Sequence, residues 1–279
     1  MAIITISYQA GSLGAEIARG LSADLGYKLI DREDFVSLAK KYDPELAAKL
    51  EKVDQPKGLG FFQRLFFSSP VYLSFFEALI FELASQQEVI IIGRGAQIVL
   101  ADQAQVFRVR VVAPTHRRVL HMRQEHNLSI DDALEFINKH DRHQRDMVRR
   151  IFEREPRDWA LYDMVLNTNR LDTQAGVNTI KAALKEIERL QPVEESASVL
   201  LGLALGKRVE AKVRQEIVPS TDIEVDGQPE GTVVLYGRLA SQEDCHRAEE
   251  IASAQPGVKK VVNKTTVLPS HLASIPRSA

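Results

Sequence analysis

The sequence predicts an α/β protein: a parallel, doubly wound sheet with helices on both faces, followed by a small α+β module. Three observations carry this. Short β-branched or apolar runs alternate with helix-period segments over the first two thirds of the 279 residues. One of these runs, "EVIIIGRG" (88–95), is apolar until its glycines, as a strand buried on both faces must be. At "QPVEESAS" (191–198) the alternation stops and a helix-strand-strand-helix-strand pattern takes over.

The elements follow in order. Ile3, Ile4, Thr5 and Ile6 form a first strand that halts at the Gly-Ser-Leu-Gly turn of residues 11–14. Leu13, Ile17, Leu21 and Leu25 then share one helical stripe. "YKLID" (27–31) is a second strand, followed by a helix from Arg32 and a stretch, 43–87, that is irregular and then helical. After 88–95 comes "VFRVRVVAP" (106–114), which alternates and stops at Pro114. A basic helix (117–126) leads to a long one with Ser129 at its N-cap and Asp132 three residues on. "YDMVLNT" (162–168) is the last strand of this part, and Asp172 caps a closing helix that reaches about Leu190. Beyond the linker, a helix (199–217), strands in 221–227 and 231–239, a helix (241–255) and a strand (258–268) make a module of about 70 residues. The expected division is 1–190, a linker 191–198, 199–269, and a flexible tail 270–279.

Composition narrows the function. A 44% hydrophobic and 27% charged chain is that of an ordinary globular protein. The net charge of −2 gives no field for nucleic acid, so no nucleic-acid partner is expected and any phosphate chemistry must rest on local clusters. A single cysteine, Cys245, excludes an intramolecular disulfide and reads as incidental in a polar helix. The most apolar stretch, 65–84, is broken by Pro70, Glu77 and Glu82, and its charge-free run of 65–76 is too short for a bilayer. With a strand starting at residue 2 or 3 there is no room for a secretory signal, and a cytoplasmic location is expected.

Strand, small-residue loop, helix is how a phosphate loop is built, because the helix N-terminus offers free N–H donors and partial positive charge. Here the slot for the usual lysine holds Ala15 or Gly14, depending on register, so phosphate loop and plain βα turn both remain open. Arg94 ends a buried strand at the rim where open α/β sheets bind ligands, suited either to a phosphate or to a neighbouring carboxylate. Asp31 and Arg32 lie on the same rim; Asp31 can accept from a ligand or cap the next helix. In "HDRHQRDMVRR" (140–150), Arg142, Arg145 and Arg149 fall on one helical face, with Asp141 in reach of Arg145. Such a face either stabilises a transferring phosphoryl group or is simply solvated. The Phe-rich segment 61–81 can serve as core or as a homodimer interface.

Taken in order, "ITIS…GS.G..IA..L", "DRE" (31–33), "VIIIGRGA", "VFRVRVVAP", "HDRHQR" and "YDMVLNT" resemble the cytidylate kinase-like family of P-loop nucleoside monophosphate kinases, over residues 1–190. The resemblance implies a five-stranded parallel sheet and a phosphate loop at Gly11, Ser12 and Gly14. It implies acceptor-monophosphate binding at Asp31, Arg32, Gly93 and Arg94, and a catalytic lid carrying Asp141, Arg142, Arg145 and Arg149. The implied reaction is transfer of the ATP γ-phosphate to a nucleoside monophosphate such as CMP, with Mg²⁺; the Phe-rich insert would close over the acceptor. Three residues depart from the pattern: Leu13, Ala15 and Ile92. Relatives read Gly-Ser-Gly-Gly-Arg where this chain has Gly11-Ser12-Leu13-Gly14-Ala15, and Ile92 stands where true cytidylate kinases carry an acid. Losing one preorganised charge costs turnover more than binding, so a non-catalytic nucleotide or phospholigand sensor is the alternative. The module at 205–268 resembles a BON domain through Gly231, Gly237 and "PGVKKVVN". That resemblance implies attachment to a phospholipid membrane surface or a protein partner, in a regulatory or oligomerising role; a plain structural module is the other use.

Overall fold

The structure is a computed structural model that describes residues 2–53, 69–190, 197–217 and 222–268. Among them, one compact unit holds those of 1–64 and 86–195 and a second those of 65–85 and 196–279. The expected linker lies almost wholly outside the described residues, as do the tail and Phe61, Phe62, Phe66 and Phe67.

The first unit is built on five parallel strands: β1 (Ile3–Tyr8), β2 (Lys28–Ile30), β3 (Val89–Ile92), β4 (Val106–Val112) and β5 (Met164–Asn167), in the order β2-β3-β1-β4-β5. β1 is central, and its register pairs Ile6 with both Ile92 and Val109, so the strand ends after β1 and β3 share a rim. Ile3, Ile4 and Ile6 are wholly buried, as a strand covered on both faces requires. Helices Gly14–Leu25 and Thr173–Leu190 cover one face: Ile17, Leu21, Val177 and Ile180 pack on Ile4, Ile6, Phe107, Val109 and Val111. Full burial of each such side chain contributes about 1.5–3 kcal/mol. Leu13 is not in the helical stripe the spacing suggested; it is the N-cap, and the helix starts at Gly14.

Asp172 caps the closing helix as expected, accepting from the Ala175 N–H at 2.8 Å. Among the described residues of the stretch read as irregular and then helical lie helices Pro44–Val53 and Pro70–Ala84. The first starts on a proline, whose missing N–H costs nothing at that position, and Asp43 accepts from the Leu46 N–H at 2.9 Å.

The second unit sets β6 (Ile223–Gln228), β7 (Thr232–Leu239) and β8 (Lys260–Val267) in one sheet, β6-β7 antiparallel and β7-β8 parallel. Helices Ala197–Glu216 and Gln242–Ser253 pack on it, and Cys245 is part of this core rather than incidental. Helix Pro70–Ala84, within 1–190 in sequence, belongs to this unit and lies against Ala197–Glu216. Glu210, 1% exposed, ties them together. It accepts from Ser74 Oγ at 2.7 Å and the Val225 N–H at 3.0 Å, and pairs with Arg214 at 2.7 Å. Lys207 joins Glu77 at 3.0 Å, and burial holds the Glu77 carboxyl above its usual range. No helix among the described residues is long and apolar enough to cross a membrane.

Candidate functional site

The loop between β1 and its helix is fixed by its carbonyls. Arg118 Nε donates to the Ala10 carbonyl at 2.7 Å, His121 Nδ1 to that of Gly11 at 3.0 Å, and Thr168 Oγ1 to that of Ser12 at 2.9 Å. Ser12 is fully buried and donates its hydroxyl to the Val111 carbonyl at 3.2 Å. With these carbonyls tied into the protein, the N–H groups that open helix Gly14–Leu25, which have no intrahelical acceptor, are left for a ligand. Gly11 has φ +76°, and any Cβ there would lie 2.6 Å from the Arg118 carbonyl oxygen; a Cβ on Gly14 would strike the Tyr8 side chain. Leu13 holds φ 66° without glycine's freedom, a strain of about 1 kcal/mol.

Leu13 does not close the site. A cleft of about 500 Å³ opens on Gly11, Leu13, Gly14 and Ala15, walled by His121, His126, Phe136 and His140. His140 stacks between Tyr8 (6.5 Å between centroids) and Phe136 (6.1 Å), and Phe136 meets His126 at 6.2 Å. These rings give the cleft an aromatic wall suited to a base. Burial holds His140 below its ordinary pKa and, with Glu16, holds Tyr8 above its own. Glu16, Glu125 and Arg19 also line the cleft, and Arg19 pairs with Glu16 at 3.5 Å. No lysine lines it.

The residues here do not fit a resident magnesium ion. Ser12 Oγ is spent on Val111, and no group of three metal-ligating side chains exists among the described residues.

Asp141 belongs to the loop assembly. It accepts from the Ala10 N–H at 3.3 Å and pairs at 2.6 Å with Arg118 rather than with Arg145. Arg145 lies in a small neighbouring pocket, Arg149 Nε pairs with Glu155 at 2.7 Å, and Arg142 is exposed. The long helix Ile130–Phe152 thus brings Asp141 and Arg145 to the rim and leaves Arg142 apart from them.

On the other side of β1, Asp31 caps helix Arg32–Tyr42, accepting from Glu33 and Asp34 N–H at 2.7 and 3.1 Å. Arg32 is exposed on its first turn. After β3, Gly93, Arg94 and Gly95 hold φ of 65°, 61° and 69° in succession, an unusual backbone for an arginine. The Arg94 guanidinium sits 5.6 Å from the Phe35 ring centroid on that same capped helix.

Sequence reasoning missed Arg118, His121, Thr168 and Arg110. The first three act on loop carbonyls more than a hundred residues away, and no local spacing announces such contacts.

The cytidylate kinase-like family model matches residues 3–170, and the BON domain model matches 205–269. Among solved structures, the chain is similar to an uncharacterized protein from Eubacterium ventriosum at 17% identity, covering 66% of this chain and 99% of that one with a TM-score of 0.50. It is also similar to a shikimate kinase from Acinetobacter baumannii (16% identity, 68% and 95% covered, TM-score 0.39). A third is a deoxyadenosine kinase from M. mycoides (12% identity, 66% and 99% covered, TM-score 0.34). At such identities the likeness concerns the fold alone. No curated protein matches.

Proposed function

The chain belongs to the cytidylate kinase-like family, and we propose that it binds a nucleoside phosphate in the loop cleft and serves ATP-dependent phosphoryl transfer to a nucleoside monophosphate such as CMP. One observation carries this reading: an open cleft of about 500 Å³ lies on the helix N-terminus, beside a loop whose carbonyls are already taken. In this reading Gly11, Ser12 and Gly14 shape the phosphate cradle, and the wall of Phe136, His140 and His126 holds the base. Asp31, Arg32, Gly93 and Arg94 bind the acceptor. Asp141 positions the loop through Arg118, while Arg142, Arg145 and Arg149 supply positive charge toward the phosphoryl group. Magnesium would be held by the nucleotide's own phosphates rather than by a protein cage.

A second reading, binding without turnover, is favoured by the chemistry at the helix start. The slot for the phosphate-reaching lysine is Ala15, and the carboxylates of Glu16 and Glu125 line the same cleft. Loss of one charge-stabilising group costs about 10²–10³ in rate while much of the binding surface persists. A coupled ADP-release assay separates the two. Turnover that falls in Arg94→Ala and Arg145→Ala supports the kinase reading; saturable ATP binding with no ADP release supports the second.

For the BON-matching unit, a phospholipid surface is the partner that the resemblance implies. Because helix Pro70–Ala84 packs with that unit, the test is co-sedimentation of the full chain, not of a truncation, with anionic vesicles.

A further inference from the structure

Strand β4 carries two arginines on the same face, and they are treated differently. Arg108 has its own carboxylate, Asp163, at 3.0 Å through Nε and 2.5 Å through Nη2. Arg110, only 6% exposed, donates to Ser7 Oγ and to Gln144 Oε1 at 3.4 Å, both neutral, and lies 5.8 Å from the Tyr162 ring centroid. A guanidinium this buried is costly unless an anion meets it.

A cavity of about 40 Å³ adjoins it, lined in part by Gln9, Gln144, Arg145 and Arg157. That is roughly three times the ~10–15 Å³ that one water needs, and far below the volume of a nucleoside. Two carboxylates also line it, but each has a cation elsewhere: Asp141 has Arg118 and Glu155 has Arg149. Among the described residues, Arg110, Arg145 and Arg157 have no carboxylate within ion-pairing distance, and Arg145 Nε is buried with no hydrogen-bond partner. Three guanidinium groups thus converge on a space that holds one small tetrahedral oxyanion.

We propose that this pocket is a phosphate-group site, with Arg110 as its buried floor and Arg145 and Arg157 as its walls, separate from the loop cleft. No residue lines both spaces; Asp141 and Arg145 are common to this pocket and to the lid of the kinase reading. The phosphate group is free phosphate or the phosphate of a small phosphomonoester whose remainder lies outside the pocket.

The test is calorimetric titration of the full chain with inorganic phosphate, sulfate, CMP and cytidine at constant ionic strength. Phosphate is expected to bind the parent protein, and Arg110→Met to weaken it at least tenfold, about 1.4 kcal/mol. The methionine variant is expected to melt at or above the parent temperature without ligand, since it removes a buried unpaired charge. If that variant does not fold, Arg157→Gln, on an exposed residue, gives the same reading as an at least threefold loss. CMP binding tighter than phosphate and weakened with it by Arg110→Met, with cytidine inert, assigns the group to a phosphomonoester; CMP binding untouched by Arg110→Met, beside phosphate binding that it weakens, assigns it to free phosphate. Affinity unchanged in a folded Arg110→Met, or no response of the parent protein to phosphate, sulfate or CMP, overturns the proposal. ATP titrated alongside keeps the two readings apart: phosphate binding without ATP binding would sink the loop-cleft reading and leave this one standing.

Discussion

The loop cleft and the Arg110 pocket lie at neighbouring strand ends and divide what a phosphate site needs. The cleft has the shape: free helix N–H groups, a rigid loop and an aromatic wall, but Glu16 and Glu125 where a cation would help. The pocket has the charge, three arginines without carboxylates of their own, but no loop. The difference teaches that this loop's conformation does not depend on a phosphate-binding charge. It is held by Arg118, His121 and Thr168 acting on backbone carbonyls, so the lysine slot can become Ala15 while the loop keeps its form.

The strongest way to break this comparison is to remove what holds the loop. Arg118→Ala strands Asp141 and the Ala10 carbonyl, and should cost about 3 kcal/mol in chemical denaturation and abolish any ATP response. A smaller effect should sharpen it: Ala15→Lys puts charge back beside an intact loop and should tighten ATP at least tenfold in calorimetry, about 1.4 kcal/mol. An unchanged affinity would mean the cleft does not hold phosphate.

The third effect is pH-dependent. Burial depresses His140, so the folded protein resists a proton that the unfolded chain accepts near 6.5. Its contribution is complete above that pH and is lost as the pH falls below it. The melting temperature should therefore drop between pH 7 and 5, and His140→Gln should flatten that drop. The smallest effect belongs to Leu13→Gly, which relieves a left-handed leucine but loses its packing on the sheet core. Its stability should stay within about 1 kcal/mol of the parent in thermal melts.

Much of this was legible in the sequence. β-branched runs bounded by glycine or proline mark all five parallel strands, and the Gly-x-x-Gly turn marks the loop, because those signals are local. What stayed hidden is tertiary. The alternation of β4 does not show what covers Arg110: Gln144 of helix Ile130–Phe152 and the Tyr162 ring reach it only once the chain is folded. Helix Pro44–Val53 was hidden because Asp43-Pro44 reads as a break, although proline is tolerated at a helix's first position. The association of helix Pro70–Ala84 with the second unit rests on Glu210 and Lys207, more than a hundred residues away.

The central claim is that a nucleoside phosphate occupies the loop cleft. Calorimetric titration of ATP into the full chain tests it most directly, with Gly14→Val as the control because a side chain there drives into Tyr8, which lines the cleft. Saturable binding to the parent protein, lost in a folded Gly14→Val, is the predicted result. No binding of ATP or CMP at millimolar concentration, or equal binding by the two proteins, would contradict it.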